Sequence, residues 1–179
     1  MIRIATPRLV LREQTPADAA FVLALVNDPD WLRHIGDRGV RTLDDARAYI
    51  EAGAAAMIRR HGHGLLLAET TAGMPVGLCG LLRRDGLADV DIGFAFLPAH
   101  RGLGYAREAA EATLAFAWHT LRVARVAAIV SPANAASIGL LGRLGFAFSR
   151  ETTLGAETLD LWTIHAPESP SPESRSPKR

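Results

Sequence analysis

Three apolar segments follow one another in the middle of the chain, and only short connections separate them, at residues 65–69, 76–83 and 88–97. Each segment has the length of a β-strand, and the connections contain glycine, proline and aspartate, which tight turns favour. The sequence therefore predicts three successive strands joined by tight turns. These strands constrain the rest of the fold, because every flanking element has to bury its apolar side against another layer.

The flanking segments show further strand and helix patterns. Alternating or continuous apolar patterns predict four more strands, at residues 8–13, 126–130, 146–150 and 158–164. Helical spacing predicts four helices, which begin at Thr15, Thr42, Arg107 and Asn134. Residues 30–41 are predicted to form an irregular loop, because Asp28-Pro29 ends the first helix. The chain is thus predicted to form one α/β domain with seven strands and about four helices.

The charge balance argues against one broad class of function. The chain has 20 basic and 19 acidic residues, whereas a dedicated nucleic-acid-binding protein has a marked basic excess. It has no run of about 18 apolar residues that would span a membrane, and residues 1–7 lack the apolar run of a signal peptide. We therefore expect a cytoplasmic protein that binds neither nucleic acid nor membrane.

Cys79 is the only cysteine of the chain, so no internal disulfide and no cysteine-based zinc site is expected. It lies in an apolar stretch, which predicts a buried core residue rather than a nucleophile. At the end of the chain, residues 167–179 combine proline, serine and charge with no apolar residue to anchor them. This composition predicts a disordered tail after a folded domain at residues 1–166.

Residues 94–108 carry the clearest functional signal. An apolar strand is followed by a turn with Gly102 and Gly104, and then at once by a helix. Backbone N–H groups at a helix start bind anions, and Arg101 and Arg107 would neutralise a diphosphate. The segment has no lysine, which a P-loop requires, and Arg107 stands where a dinucleotide fingerprint has its third glycine. Neither of these two phosphate-binding motifs therefore fits.

Three segments together resemble one family. Arg101-Gly102-Leu103-Gly104-Tyr105-Ala106 matches the pattern Gln/Arg-x-x-Gly-x-Gly/Ala of the GNAT superfamily of acetyl-CoA-dependent N-acetyltransferases. Residues 6–12 resemble the opening strand of its RimJ/RimL-like branch, and residues 134–146 resemble the N-x-x-S and G-F segment of that branch. The resemblance extends over about residues 6 to 164. It implies a GNAT-type α+β fold, with a central mixed, mostly antiparallel sheet.

The resemblance implies that acetyl-CoA is the cosubstrate and that no metal takes part. Backbone amides of residues 101–106 would hold the pyrophosphate, and a backbone N–H in residues 94–97 would stabilise the thioester oxyanion. Asn134 would contact CoA or cap the helix that shapes this site. The implied cosubstrate-binding residues are Phe94, Ala95, Phe96, Leu97, Arg101, Gly102, Leu103, Gly104, Tyr105, Ala106 and Asn134.

The same match implies two catalytic residues. Asp91 stands where relatives have an acidic residue and would act as the general base, although it could equally be a salt-bridged strand residue. Many family members have a tyrosine as general acid where this chain has Leu141. Ser137 fills the position of a nearby serine that would donate to the departing thiolate, although it could equally cap its helix. Glu69 and His34 are weaker candidates for the base.

Trp31 and His34 lie between the first two predicted helices, where acceptors enter GNAT enzymes, and are the candidate acceptor-binding residues. Trp31 could equally be a core residue. The branch implies a protein or peptide N-terminal amine as acceptor. The oligomeric state is left open between a monomer and a homodimer. Two alternatives remain open. The acceptor could be a small amine such as an amino acid, polyamine or drug-like amine, or the protein could be a catalytically weak acyl-CoA-binding module that lacks the tyrosine.

Overall fold

The computed structural model describes residues 1–167, and its centre is one eight-stranded sheet with the order β1-β2-β3-β4-β5-β6-β8-β7. The strands are β1 (Arg3–Ala5), β2 (Leu9–Arg12), β3 (Leu65–Thr70), β4 (Pro75–Leu82), β5 (Val90–Phe96), β6 (Arg125–Val130), β7 (Ala147–Leu154) and β8 (Glu157–His165). The disordered tail predicted at residues 167–179 lies outside the described residues, except for its first residue.

Every neighbouring pair of strands is antiparallel except β5 and β6, which confirms the predicted mixed, mostly antiparallel sheet. The parallel pairing of β5 and β6 covers only Val90 with Val126 and Asp91 with Ala127. On its other side, β5 stays paired with β4 as far as Phe96. A gap therefore opens in the sheet beyond Asp91, between the end of β5 and the end of β6.

The sheet has one strand more than the seven predicted. The extra strand, β1, has three residues, two of them exposed, so its sequence is too short and too polar for a strand pattern to be recognised. It forms by pairing with β2, where Ile4 lies opposite Leu11. The strand is therefore defined by its pairing with β2 and not by a pattern of its own.

Residues 1–167 contain six α-helices, namely α1 (Ala19–Val26), α2 (Pro29–His34), α3 (Leu43–Ile50), α4 (Ala56–His61), α5 (Tyr105–His119) and α6 (Ala135–Arg143). A π-helical turn, Glu51–Ala55, makes α3 and α4 one continuous segment. Five helical segments are therefore present, where about four were predicted. All of these helices are too short or too polar to cross a membrane.

Helix α2 (Pro29–His34) extends into residues 30–41, which were predicted to form an irregular loop. That prediction was wrong for residues 30–34, whereas residues 35–41 contain no helix or strand. The Asp28 carboxylate accepts hydrogen bonds from the N–H groups of Asp30 and Trp31 and so caps a new helix. Pro29 takes the first helical position, where its missing N–H is not needed. Asp28-Pro29 thus ends α1 and starts α2, because the residue before a proline is extended while the proline has a helical φ.

The two faces of the sheet are covered by different helices. Helix α5 packs on one face through fully buried small residues, Ala109, Ala110 and Ala117. Helices α1, α2 and α3 cover the other face, where Leu67 of β3 and Leu78 of β4 belong to their apolar cluster. The start of α5 and the whole of α2 therefore stand on opposite sides of the sheet, both beside the gap.

Cys79 of β4 is fully buried beneath α5, which confirms the prediction of a core cysteine. Its Sγ lies 3.4 Å from the Thr113 hydroxyl. Burial raises the pKa of the thiol to about 12, despite that hydrogen bond. The thiol is therefore protonated at neutral pH and is a poor nucleophile.

Candidate active site

A cleft of about 760 Å³ lies at the gap between β5 and β6. Its walls come from the end of β5, the loop and first turn of α5, the first turn of α6, and α2. A second cavity of about 290 Å³ continues from it along β5, and Trp31, His34, Phe94 and Ser137 line both. A ligand that enters the cleft therefore reaches the groups in the smaller cavity.

The start of α5 presents backbone donors to this cleft. Gly102 and Gly104 both have left-handed backbone conformations, with φ of +73° and +82°, which glycine adopts without steric cost. The first helical hydrogen bond runs from the Glu108 N–H to the Gly104 carbonyl oxygen. The N–H groups before Glu108 thus have no helical acceptor, and the positive end of the helix dipole adds to their field. This donor set fits an anionic diphosphate.

Arg8 holds this loop from outside, a role that was not predicted from the sequence. Its guanidinium donates to the Leu103 carbonyl oxygen at 2.8 Å and to the Glu108 carboxylate at 2.6 Å. It also lies 4.9 Å from the centre of the Tyr105 ring, close enough for a cation–π contact. The Leu103 side chain is half exposed and, unlike its neighbours, does not line the cleft.

The backbone of β5 turns hydrogen-bonding groups toward the gap at alternate residues. The Leu97 N–H donates to the Val76 carbonyl oxygen at 3.1 Å, so this residue faces β4 and not the gap. Because the direction of these groups alternates along a strand, the N–H and C=O of Phe94 and Phe96 face the gap. Leu97, one of the implied cosubstrate-binding residues, is thus not at the cleft, whereas Phe94, Ala95 and Phe96 line it.

Arg101 lines the cleft, and its guanidinium is held by groups of β5 and of the α2 cap. It donates to the Phe96 carbonyl oxygen at 2.8 Å and to Asp28 at 2.6 Å, and it also pairs with Asp30. Arg101 therefore links the end of β5 to the cap of α2. Asp28-Pro29, as a helix start, was the sequence signal that could have indicated this partner. The neutralisation of a diphosphate by this side chain stays a prediction.

Arg107, the other arginine expected to face a diphosphate, lies in the first turn of α5 and lines the cleft. Its guanidinium pairs with Glu111 one helical turn later, at 2.7 Å, and both side chains are about half exposed. Exposed pairs of this kind contribute little to stability, so this arginine can turn toward an anion in the cleft at small cost.

Asp91 is fully buried on the wall of the smaller cavity. One carboxylate oxygen accepts from Arg84 Nε at 2.9 Å, whereas the other, Oδ1, has no partner within residues 1–167. Burial raises the pKa of this carboxyl above its ordinary value, although the Arg84 charge and hydrogen bond oppose the shift. Asp91 is thus a salt-bridged strand residue, and its role as general base stays a prediction.

Trp31 and His34 of α2 come together at the junction of the two cavities. Trp31 is 5% exposed and belongs to the apolar cluster beneath α1 and α3, so it is both a core residue and part of the cavity wall. Its indole Nε1 and the His34 Nδ1 are buried and have no partner among the described residues. Buried polar atoms without a partner are uncommon and point to a missing ligand or water.

Asn134 and Ser137 lie at the start of α6 and line both cavities. The Asn134 side chain caps the helix, because its Oδ1 accepts from the Ser137 N–H at 3.1 Å. Ser137 contributes only this N–H to the cap, and its hydroxyl makes no hydrogen bond within residues 1–167. Leu141, one helical turn further, is 1% exposed and lines the smaller cavity.

Glu69, a weaker base candidate, lies apart from the site. Its carboxylate accepts from Arg12 Nε at 2.9 Å on the neighbouring strand β2, and Arg12 also pairs with Asp18 at 2.8 Å. Neither cavity includes Glu69. Within the described part of the chain, no group of three or more His, Cys, Asp or Glu side chains is arranged to hold a metal ion.

Comparisons with known proteins identify the family of this chain. A family model described as an acetyltransferase (GNAT) domain matches residues 8–147. The uncharacterized N-acetyltransferase YoaA of Bacillus subtilis (strain 168) is 27% identical over 146 residues, which are 80% of this chain and 81% of YoaA.

Solved structures share the whole fold. An acetyltransferase from Agrobacterium tumefaciens has a TM-score of 0.80 at 24% identity and covers 93% of this chain and 95% of its own. RimL, a ribosomal L7/L12 alpha-N-protein acetyltransferase solved in complex with coenzyme A, has a TM-score of 0.79 at 14% identity. This match covers 92% of the present chain and 98% of RimL.

The family match covers most of the chain, and GNAT enzymes use acetyl-CoA. The free N–H groups at the start of α5 and the unpaired end of β5 supply donors for a diphosphate and an extended ligand, so the residues present fit this cosubstrate. The chain therefore belongs to the GNAT acetyltransferase family, as an acetyl-CoA-dependent N-acetyltransferase.

Proposed function

We propose that this enzyme acetylates the N-terminal α-amine of a protein or peptide in the cytoplasm, as the RimJ/RimL-like branch implies. The observation that carries the proposal is Asp91, a buried carboxylate that keeps one oxygen without a partner beside the cosubstrate cleft. RimL, which shares the fold, is by name an α-N-protein acetyltransferase. RimL is thus a precedent for an enzyme of this fold that acts on a protein α-amine, and it supports the choice of acceptor in that sense alone.

The acceptor amine has to lose a proton before or during attack. An α-amine has an ordinary pKa of about 7.7–8.0 and a lysine side chain about 10.4, so the α-amine needs much less help. Burial raises the pKa of Asp91, which makes its carboxylate a stronger base than an exposed aspartate. In this proposal Asp91 takes the amine proton, directly or through one water.

The transfer forms an N–C bond to the thioester carbonyl carbon and breaks its C–S bond. The N–H groups at the start of α5 hold the diphosphate of the cosubstrate, and the Phe94 N–H, which faces the gap, donates to the thioester oxygen. The proton lost by the amine goes to Asp91. The electron pair of the broken bond leaves with sulfur as thiolate.

The departing thiolate accepts a hydrogen bond from the Ser137 hydroxyl in this proposal, and it takes its proton from solvent after the transfer. Ser137 lies at the junction of the two cavities, and its hydroxyl is not used by the α6 cap. Leu141 is a buried apolar residue and offers no donor. A CoA thiolate is a moderate leaving group, since thiol pKa values are about 8.5, so one hydroxyl donor is sufficient.

A small amine would be acetylated by the same chemistry. Only the shape and charge of the smaller cavity determine whether the enzyme prefers a small amine or a peptide. The reading as a catalytically weak acyl-CoA-binding module rested on the missing tyrosine. The family assignment and the free Asp91 and Ser137 oxygens argue against it.

Acetyl transfer to matched peptides tests the proposal. One set of peptides has a free α-amine and no lysine, and the control set has an acetylated N-terminus and one lysine. Mass spectrometry and thiol release should show acetylation of the first set at least about tenfold faster. Equal rates on both sets, or turnover confined to the lysine set, would contradict an α-amine acceptor.

A further inference from the structure

The wall of the smaller cavity carries more positive than negative charge. Two guanidinium groups, Arg38 and Arg84, line it together with one carboxylate, Asp91. The other titratable groups on this wall are His34 and Tyr49. Of the two arginine charges, one is balanced by Asp91 and one is left over on this wall.

Neither arginine is fully used by the described residues. Arg84 binds Asp91 through Nε, and its two terminal nitrogens make no hydrogen bond within residues 1–167. Arg38 makes only one long hydrogen bond, 3.3 Å, to the Ile35 carbonyl oxygen. The carboxylate beside it in sequence, Asp37, is taken by Arg41 at 2.5 Å.

Arg38 and Arg84 come from different elements of the fold and line the same cavity, together with Tyr49. Arg38 lies on the exposed rim and Arg84 beside the buried Asp91. Burial raises the pKa of the Tyr49 phenol, while the charges of both arginines oppose the increase. Guanidinium groups bind carboxylates through two parallel hydrogen bonds, which makes this wall suited to a planar anion.

Two more polar groups on the wall have no partner. The Trp31 Nε1–H can only donate a hydrogen bond, and it is buried without an acceptor among the described residues. The buried His34 Nδ1 also has no partner there and donates or accepts according to its tautomer. An acceptor molecule with carboxylate and carbonyl oxygens would satisfy the indole donor. A polyamine offers only donors and further positive charge, so it would leave the indole donor unpaired and would meet the excess arginine charge.

We propose that the smaller cavity binds an amine acceptor with a carboxylate a few bonds from the amine, the carboxylate lying against Arg38 and the free end of Arg84. The inference rests on the proposed function, because Asp91 accepts the proton of the amine that belongs to the same acceptor molecule. The carboxylate has two possible sources, the α-carboxylate of a free amino acid or the side chain of an N-terminal Asp or Glu.

Isosteric acceptors separate charge from shape. One arm compares C-terminally amidated peptides that begin with Asp or Glu with the same peptides beginning with Asn or Gln. The other arm compares free glutamate and aspartate with their α-amides, and spermidine is included as a polycation. In at least one arm, kcat/KM for the anionic member should exceed that of its neutral isostere about tenfold, because the wall leaves arginine charge unpaired.

Arg38→Gln should reduce this preference about tenfold, and the KM for acetyl-CoA should stay constant, because Arg38 does not line the cosubstrate cleft. Arg33→Gln is the matched control, since Arg33 is an exposed arginine of α2 that lines neither cavity. Arg38→Glu should reverse the preference toward neutral or basic acceptors.

Equal rates on charged and neutral isosteres in both arms, or spermidine as the best acceptor, would overturn the anion subsite while leaving amine acetylation in place. An unchanged preference in Arg38→Gln would also overturn it. Absence of acetylation on every amine would instead contradict the proposed function, and the subsite with it. The two failures are therefore distinguishable.

Discussion

The Arg101 guanidinium lies 2.6 Å from the Asp28 carboxylate, and this pair joins the cosubstrate side of the cleft to the acceptor side. Asp28 is 7% exposed and also caps α2, the helix that carries Trp31 and His34. Arg101 belongs to the loop before α5 and also holds the Phe96 carbonyl oxygen. Arg101 therefore ties α2 to the end of β5, in addition to the packing of Trp31 in the apolar cluster.

We expect Asp28→Asn to loosen α2 without removing its cap, because asparagine also caps helices well. The lost charge should lower the free energy of unfolding by about 1–2 kcal/mol and raise the KM for the acceptor about fivefold, since Trp31 and His34 move with α2. Chemical denaturation and steady-state kinetics measure both effects.

Glu111→Gln is the control for Asp28→Asn, because it breaks an ion pair of similar length, 2.7 Å, between exposed residues. Its effect on stability should stay within about 0.5 kcal/mol. If Asp28→Asn raises the KM for acetyl-CoA and leaves the KM for the acceptor unchanged, the Arg101–Asp28 pair contributes to cosubstrate binding and does not position the acceptor.

Gly104→Ala should weaken acetyl-CoA binding about tenfold, because the left-handed conformation at φ +82° is strained for alanine and the N–H groups at the start of α5 depend on it. An added Cβ would also lie 3.1 Å from Arg8 Nη2. Isothermal titration calorimetry with acetyl-CoA measures the change.

Gly73→Ala is the matched control for the glycine loop. Gly73 has φ +83° and no neighbouring atoms within 4 Å of an added Cβ, and it lies in the turn between β3 and β4. Both variants should lose about 1 kcal/mol of stability, and only Gly104→Ala should lose affinity. A similar loss of affinity in both would mean that general destabilisation, and not the loop, is responsible.

The activity should fall on the acid side as Asp91 becomes protonated. Burial raises the pKa of this carboxyl above 3.8, so the base is lost at a higher pH than for an exposed aspartate. As the pH falls through this raised pKa, kcat/KM should decrease, and Asp91→Asn should remove that acid limb along with most of the rate. An undiminished rate of Asp91→Asn between about pH 6 and 9 would exclude Asp91 as the base.

Ser137→Ala should lower kcat about tenfold at an unchanged KM for acetyl-CoA, because it removes the donor to the departing thiolate. The variant keeps the backbone N–H that Asn134 accepts, so the cap of α6 remains. Stopped-flow thiol release measures the rate.

Asn134→Ala is the complementary variant, since it removes the cap and should cost about 1 kcal/mol of stability. Thermal unfolding of both variants separates the two roles. If Ser137→Ala loses stability and keeps its kcat, the serine is only structural.

The elements that carry strong local signals could be predicted from the sequence. Gly104 comes directly before an alanine-rich helix, α5. Helix α3 begins at Thr42, as predicted, and Thr42 and Asp45 form a complete capping box there. Helix α2 was missed because Asp-Pro was interpreted only as a helix end. The strand β1 was missed because three residues cannot show a period.

By itself, the sequence determined the strands β2 to β8, the glycine turn before α5 and the cap of α6, because turn chemistry and apolar periodicity act between residues close in the chain. Only the tertiary structure decided which of these groups meet. The Arg101–Asp28 pair and the placement of Arg38 and Asp91 on one cavity wall bring together residues from distant segments, and the gap between β5 and β6 is likewise a product of the packing. Such contacts depend on how the layers pack, and they decide which polar atoms are left without a partner to bind substrate.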